Sequence, residues 1–106
     1  MLSFQRLDVY RCALEFVAIA TQISEKVPRG HAELKDQLRR AAISVPLNIA
    51  EGAGRVSKAD GARHYAIARG SAMECAAVLD VVRALRAGSE SSTTKRCSCL
   101  CGWWQC

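Results

Sequence analysis

Aromatic residues are scarce in this chain, with two Phe, two Tyr and two Trp among 106 residues, and there are two prolines and two histidines. So few aromatics leave little material for a base-stacking surface, so any contact with nucleic acid is expected to run along the backbone. No apolar run approaches the roughly 18 residues that a membrane-crossing helix needs. The opening MLSFQRLDVYRC lacks the basic stretch and apolar core of a secretory leader. These absences predict a cytoplasmic protein with no membrane segment. Gly52, Gly54 and Gly61 fit neither the P-loop nor the dinucleotide-fold spacing. Glu51 and Glu74 have no nucleophile or metal-binding histidines with them, and His31 has no partner at a ligand spacing. No enzymatic activity, cofactor or metal is expected.

What the chain does have is positive charge and helical periodicity. The formal net charge is +5, and it is uneven: residues 1–54 carry seven Lys/Arg against six Asp/Glu, residues 55–106 eight against four. Eleven of the fifteen basic residues are arginine, the side chain suited to bidentate phosphate or carboxylate contacts, although the high-arginine composition of a GC-rich genome would give the same count. A single domain of this length buries roughly 60–65% of its unfolded surface, so self-association is a natural way to cover the remainder.

Three helices are predicted, over about 8–26, 32–53 and 58–87, within one domain covering 1–88. Asp8 is placed as cap of the first, whose core face is Ala13, Phe16, Val17, Ala20, Ile23 and Val27. Pro28-Arg29-Gly30 is the stop. In the second, Leu34, Leu38, Ala41, Val45 and Ile49 form the apolar stripe, while Arg40, Ser44, Asn48 and Gly52 recur every fourth residue on another side with Gln37 and Glu51 beside them. Pro46 interrupts this helix, deletes a backbone hydrogen bond and frees a carbonyl near Ala42. Two readings of the polar line follow. Gln37, Ser44, Asn48, Glu51, Ser71 and Glu74 satisfy one another and the interrupted backbone between packed helices, or they build a ligand pocket.

Ser57-Lys58-Ala59-Asp60 has the S-x-x-D form of a capping box and opens the third helix. Its faces are read as Tyr65, Ala68, Ala72, Cys75, Leu79 and Val82 beside Ile67, Val78, Val81 and Leu85, an apolar arc broad enough to touch more than one neighbour. A close helix contact is expected to compensate Gly70, and Cys12 and Cys75 are expected to be small buried apolar residues.

Gln37-Leu38-Arg39-Arg40-Ala41-Ala42, Ser44-Val45-Pro46 and Asn48-Ile49-Ala50-Glu51-Gly52 resemble the core motif of a bacterial four-helix bundle family, first noticed as reading frames in intervening sequences of 23S ribosomal RNA genes. Phe4 to Tyr10 resembles the family's opening, and Ala68-Arg69-Gly70-Ser71 with Glu74 its third-helix motif, so that the likeness covers about residues 4 to 87. It implies an all-α, up-and-down antiparallel bundle assembling as a ring-like homo-oligomer, a pentamer, without an established enzymatic activity. Distant relatives that accompany reverse transcriptases supply an analogy to nucleic-acid binding.

From Ser89 the sequence departs from that pattern. Residues 89–106 are polar low-complexity sequence followed by Cys97, Cys99, Cys101 and Cys106 with Trp103 and Trp104, where the family would place a fourth helix. That helix is read as missing or replaced by an irregular, disordered tail, and the cysteine spacing lacks the paired C-x2-C knuckles of structural zinc sites. Three functions remain. The first is RNA or DNA backbone binding through Arg39, Arg40, Arg55, Lys58, Arg63 and Arg69, with Arg40 alternatively paired to Asp36. The second is an oligomeric scaffold for a protein partner, and the third a truncated family member without function.

Overall fold

The computed structural model describes residues 2–88. A short 3-10 turn at Ser3–Arg6 leads into three α-helices, α1 (Asp8–Ser24), α2 (Ala32–Gly54) and α3 (Lys58–Gly88), with no strand among the described residues. The α1 cap differs from expectation. Leu7 occupies the N-cap without a side-chain cap bond, and Asp8 is the first helical residue, where its carboxylate still favours the positive end of the helix. The chain reverses after Pro28 at Gly30, whose φ of +93° is the single positive value among the described residues.

α2 continues as helix across Pro46, which is buried. Its stripe packs as its spacing requires: Leu38, Ala41 and Ile49 are buried and Leu34 and Val45 half-buried. Leu38 has no exposed surface and anchors a cluster with Ala20 from α1, Ala41 and Ala42 from α2, and Cys75, Val78 and Val82 from α3. Full burial of one such leucine contributes about 1.5–3 kcal/mol. A smaller cluster joins Ala13, Ile49 and Ala68, with Tyr10 and Val45 against it.

α2 and α3 are antiparallel. Gly52 meets Gly61, Asn48 meets His64 and Ser44 meets Ser71, so residue numbers rise on one helix as they fall on the other. The buried side of α3 is Gly61, His64, Ala68, Cys75, Val78 and Val82, turned from the expected face: Ala72 is exposed and Tyr65 is 43% exposed. Among the described residues the backbone contacts of α3 are with α2 alone, because α2 lies between its neighbours and α1 and α3 have no Cα atoms within 8 Å of each other. The single neighbour leaves Met73 and Val81 exposed on α3, as Ile43 and Leu47 are on α2. The radius of gyration is 16.9 Å, against about 12 Å for a compact domain of this length. Cys75 is fully buried as expected, whereas Cys12 is exposed on α1.

Candidate nucleic-acid interface

The α2–α3 turn is held by two glycines and one serine. A Cβ on Gly52 would stand 2.9 Å from the Tyr65 ring and 3.0 Å from the Gly61 carbonyl oxygen; one on Gly61 would stand 3.0 Å from the Gly52 carbonyl oxygen. Only glycine lets the end of α2 and the start of α3 meet this closely. Gly70, where a close contact was expected, has nothing within 4 Å of its would-be Cβ. Ser57 Oγ accepts the Asp60 backbone N–H at 3.4 Å, the serine half of a capping box. The remaining N–H groups of this first turn and the aligned peptides of α3 make its N-terminus electropositive.

Arg55 and Lys58 line the cleft at this turn with Gly52, Val56, Ser57, Gly61, Ala62 and Tyr65, and its volume is about 310 Å³. From Arg55 to Arg69 the sequence holds four cations, Arg55, Lys58, Arg63 and Arg69, and one acid, Asp60. All four cations are exposed. They do not form one patch. Lys58 and Arg69 share a helix face roughly 16 Å apart, and Arg63 projects about 140° round the axis from Lys58. Arg39 and Arg40 stand more than about 20 Å back along α2 from Arg55. Arg40 is paired with Asp36 at 3.2 Å, one helical turn away.

Beneath the turn runs a row of polar side chains. His64 Nδ1 lies 3.2 Å from Asn48 Oδ1, Asn48 Nδ2 donates to the Ser44 carbonyl at 2.9 Å and to Ser44 Oγ at 3.0 Å, and Ser44 Oγ lies 2.8 Å from Ser71 Oγ. Glu51 Oε2 is 3.5 Å from His64 Nε2 and accepts from Arg55 Nη2 at 3.2 Å. Asn48 thus serves the Ser44 carbonyl, not the one near Ala42 that Pro46 frees. Gln37 and Glu74 stand apart from this row and line a second cleft, of about 380 Å³, with Glu33, Asp36 and Arg40. Among the described residues neither makes a side-chain hydrogen bond or ion pair, and no three His, Cys, Asp or Glu gather as metal ligands. The cysteines at 97, 99, 101 and 106 lie outside the described residues. His64, which sequence reasoning missed, carried a signal: it falls four, seven and eleven residues before Ala68, Ser71 and Cys75, on the face α3 buries.

The family model of the 23S rRNA-intervening sequence protein matches residues 5–100. The chain belongs to that family. A comparison with curated proteins returns no match. The matched span of the 23S rRNA-intervening sequence protein model runs past the residue 87 at which the motif likeness was read to end, so it takes in part of the tail. No helix among the described residues of this family member is long and apolar enough to cross a membrane.

Proposed function

We propose that this member of the 23S rRNA-intervening sequence protein family is a non-enzymatic, cytoplasmic, homo-oligomeric helical protein that binds RNA or DNA through the phosphate backbone. The observation that carries the reading is the α2–α3 turn, where Arg55 and Lys58 flank a serine-capped helix N-terminus in one cleft. Cations and a helix N-terminus attract the same ligand class, an anion with several oxygen acceptors, and repetition around an oligomer multiplies a modest charge. Self-association is supported by the exposed apolar side chains Ile43, Leu47, Met73 and Val81; the family likeness implies a pentamer. Arg69 extends the basic surface along the Lys58 face of α3 while Arg63 projects to another side, and Arg39 and Arg40 join it only if a second copy brings α2 alongside.

Titration of a labelled single strand at several salt concentrations tests the reading. For single strands the slope of log K against log[salt] is about −0.7 per phosphate contact, so Arg55→Ala with Lys58→Ala should flatten it by about 0.7 while Arg55 stays paired with Glu51 and by about 1.4 where that pair opens, with helicity unchanged. Binding and slope equal to wild type in that double variant refute the site. Exposed apolar side chains also favour a second reading, a scaffold that recruits a protein partner, and there affinity would change little with salt.

A further inference from the structure

We infer that His64 is a proton-controlled positioning residue for Arg55, so that the anion affinity of the α2–α3 turn rises when its imidazole carries a second proton. The inference rests on the backbone-binding reading above and adds its regulation. It begins at a group with no freedom. The Ser44 carbonyl can only accept, so Asn48 must present Nδ2 to it at 2.9 Å. Asn48 Oδ1 therefore faces His64 Nδ1 at 3.2 Å and also can only accept, which puts a hydrogen on Nδ1. In the neutral ring Nε2 is then a bare lone pair. It is buried, with the side chain 9% exposed, and has no hydrogen-bond partner. What it faces, at 3.5 Å, is Glu51 Oε2, another acceptor. A proton on Nε2 turns two opposed lone pairs into a charged hydrogen bond.

That same carboxylate oxygen accepts from Arg55 Nη2 at 3.2 Å. With His64 neutral, Arg55 and Glu51 cancel and the trio has no net charge. With His64 protonated the trio carries one positive charge, Glu51 is drawn to the buried imidazolium, and Arg55 is released beside Lys58 in the cleft. Few other charges reach this point. α2 contributes Glu51 and Arg55, and α3 contributes Asp60 a turn before His64, with Lys58 and Arg63 nearby. Among the described residues α1 brings Tyr10, against the neighbouring Ala13–Ile49–Ala68 cluster, and the 3-10 turn, which packs on α2, carries Arg6. Imidazole is the side chain that ordinarily changes charge between about pH 5 and 8.

Two measurements on the full chain test this. Two-bond 15N–1H spectra of the unmutated protein at about pH 8, with His31→Asn used for assignment, should show a neutral His64 ring with its hydrogen on Nδ1. A hydrogen on Nε2 instead overturns the inference whether or not nucleic acid binds. Salt titrations of a labelled oligouridylate, a probe with no base titrating in this window, are then compared at about pH 5.5 and about pH 8. In wild type and in His31→Asn the slope of log K against log[salt] should steepen on acidification by about 0.7, one further phosphate contact on a single strand. His64→Gln should lose the response, and Glu51→Gln should bind at both pH values as acidified wild type does. Equal slopes in wild type, or a response surviving in His64→Gln, overturn the inference. Unaltered binding by the Arg55→Ala, Lys58→Ala variant overturns instead the site on which it rests.

Discussion

Adding one methyl group at Gly52 or at Gly70 should have opposite effects on stability. Both glycines lie in helices, where alanine is ordinarily favoured by about 1 kcal/mol. At Gly70 nothing lies within 4 Å of the new Cβ, so Gly70→Ala should realise that gain. At Gly52 the Cβ would meet the Tyr65 ring at 2.9 Å and the Gly61 carbonyl oxygen at 3.0 Å. Tyr65, 43% exposed, can swing aside, but the carbonyl belongs to the backbone of α3 and moves only with the helix. Overpacking of this kind costs about 1–3 kcal/mol. Set against the propensity gain, Gly52→Ala should be neutral to about 2 kcal/mol less stable than wild type and about 1–3 kcal/mol less stable than Gly70→Ala. For a domain of this size each kcal/mol moves the melting midpoint by roughly 4–8 °C. Thermal and urea unfolding, followed by circular dichroism at matched protein concentration, would resolve the difference. A Gly52→Ala protein as stable as Gly70→Ala would refute the close approach of α2 and α3 at this turn.

Other perturbations follow from the same contacts. Leu38→Ala should lose about 2–5 kcal/mol in urea unfolding, since the three-helix cluster closes around it. Ser57→Ala removes the acceptor of the Asp60 N–H and should cost about 1 kcal/mol, with Ser57→Asp restoring most of it. Asn48→Asp would set a carboxylate oxygen against the Ser44 carbonyl in place of a donor and should cost about 1–3 kcal/mol near neutral pH. Burial, with a smaller contribution from the neighbouring Glu74 charge, pushes the Cys75 thiol above its ordinary value. Alkylation mapped by mass spectrometry should therefore label exposed Cys12 well before Cys75. The unfolded thiol ionises first, so stability should be intact below about pH 8.5 and fall as pH rises through that value. Cys75→Ala should flatten the decline.

Local rules were legible in the sequence to within a residue or two. Gly30 and Pro28 stop α1, Ser57 starts α3, and the apolar stripe of α2 is the stripe it buries. What the sequence did not reveal is which face of α3 points inward, because alanine surrounds this helix and hydrophobicity alone barely distinguishes one side from another. The register comes instead from contacts distant in sequence: Gly52 against Gly61, and Ser44 reaching Ser71. That is why periodicity alone points Tyr65 and Ala72 inward and passes over His64, and why it points to Gly70 for the close contact that Gly52 and Gly61 make. The row of polar side chains is likewise a tertiary object. Ser44, Asn48, Glu51 and Ser71 share it with His64, while Gln37 and Glu74 sit one or more turns away in another cleft.

The placement of α2 between two helices whose backbones come no closer than 8 Å between Cα atoms has a consequence for how the molecule opens. Contacts between α2 and α3 join residues across one short turn and form a hairpin whose loop is inexpensive to close in entropy. α1 contributes Ala20 to the larger cluster and Ala13 to the smaller, and it can detach by breaking its interface with α2 without disturbing the hairpin backbone. Amide hydrogen exchange should divide accordingly: α1 exchanges through a partial opening, whereas the amides of α2 and α3 around Leu38 and Cys75 wait for global unfolding.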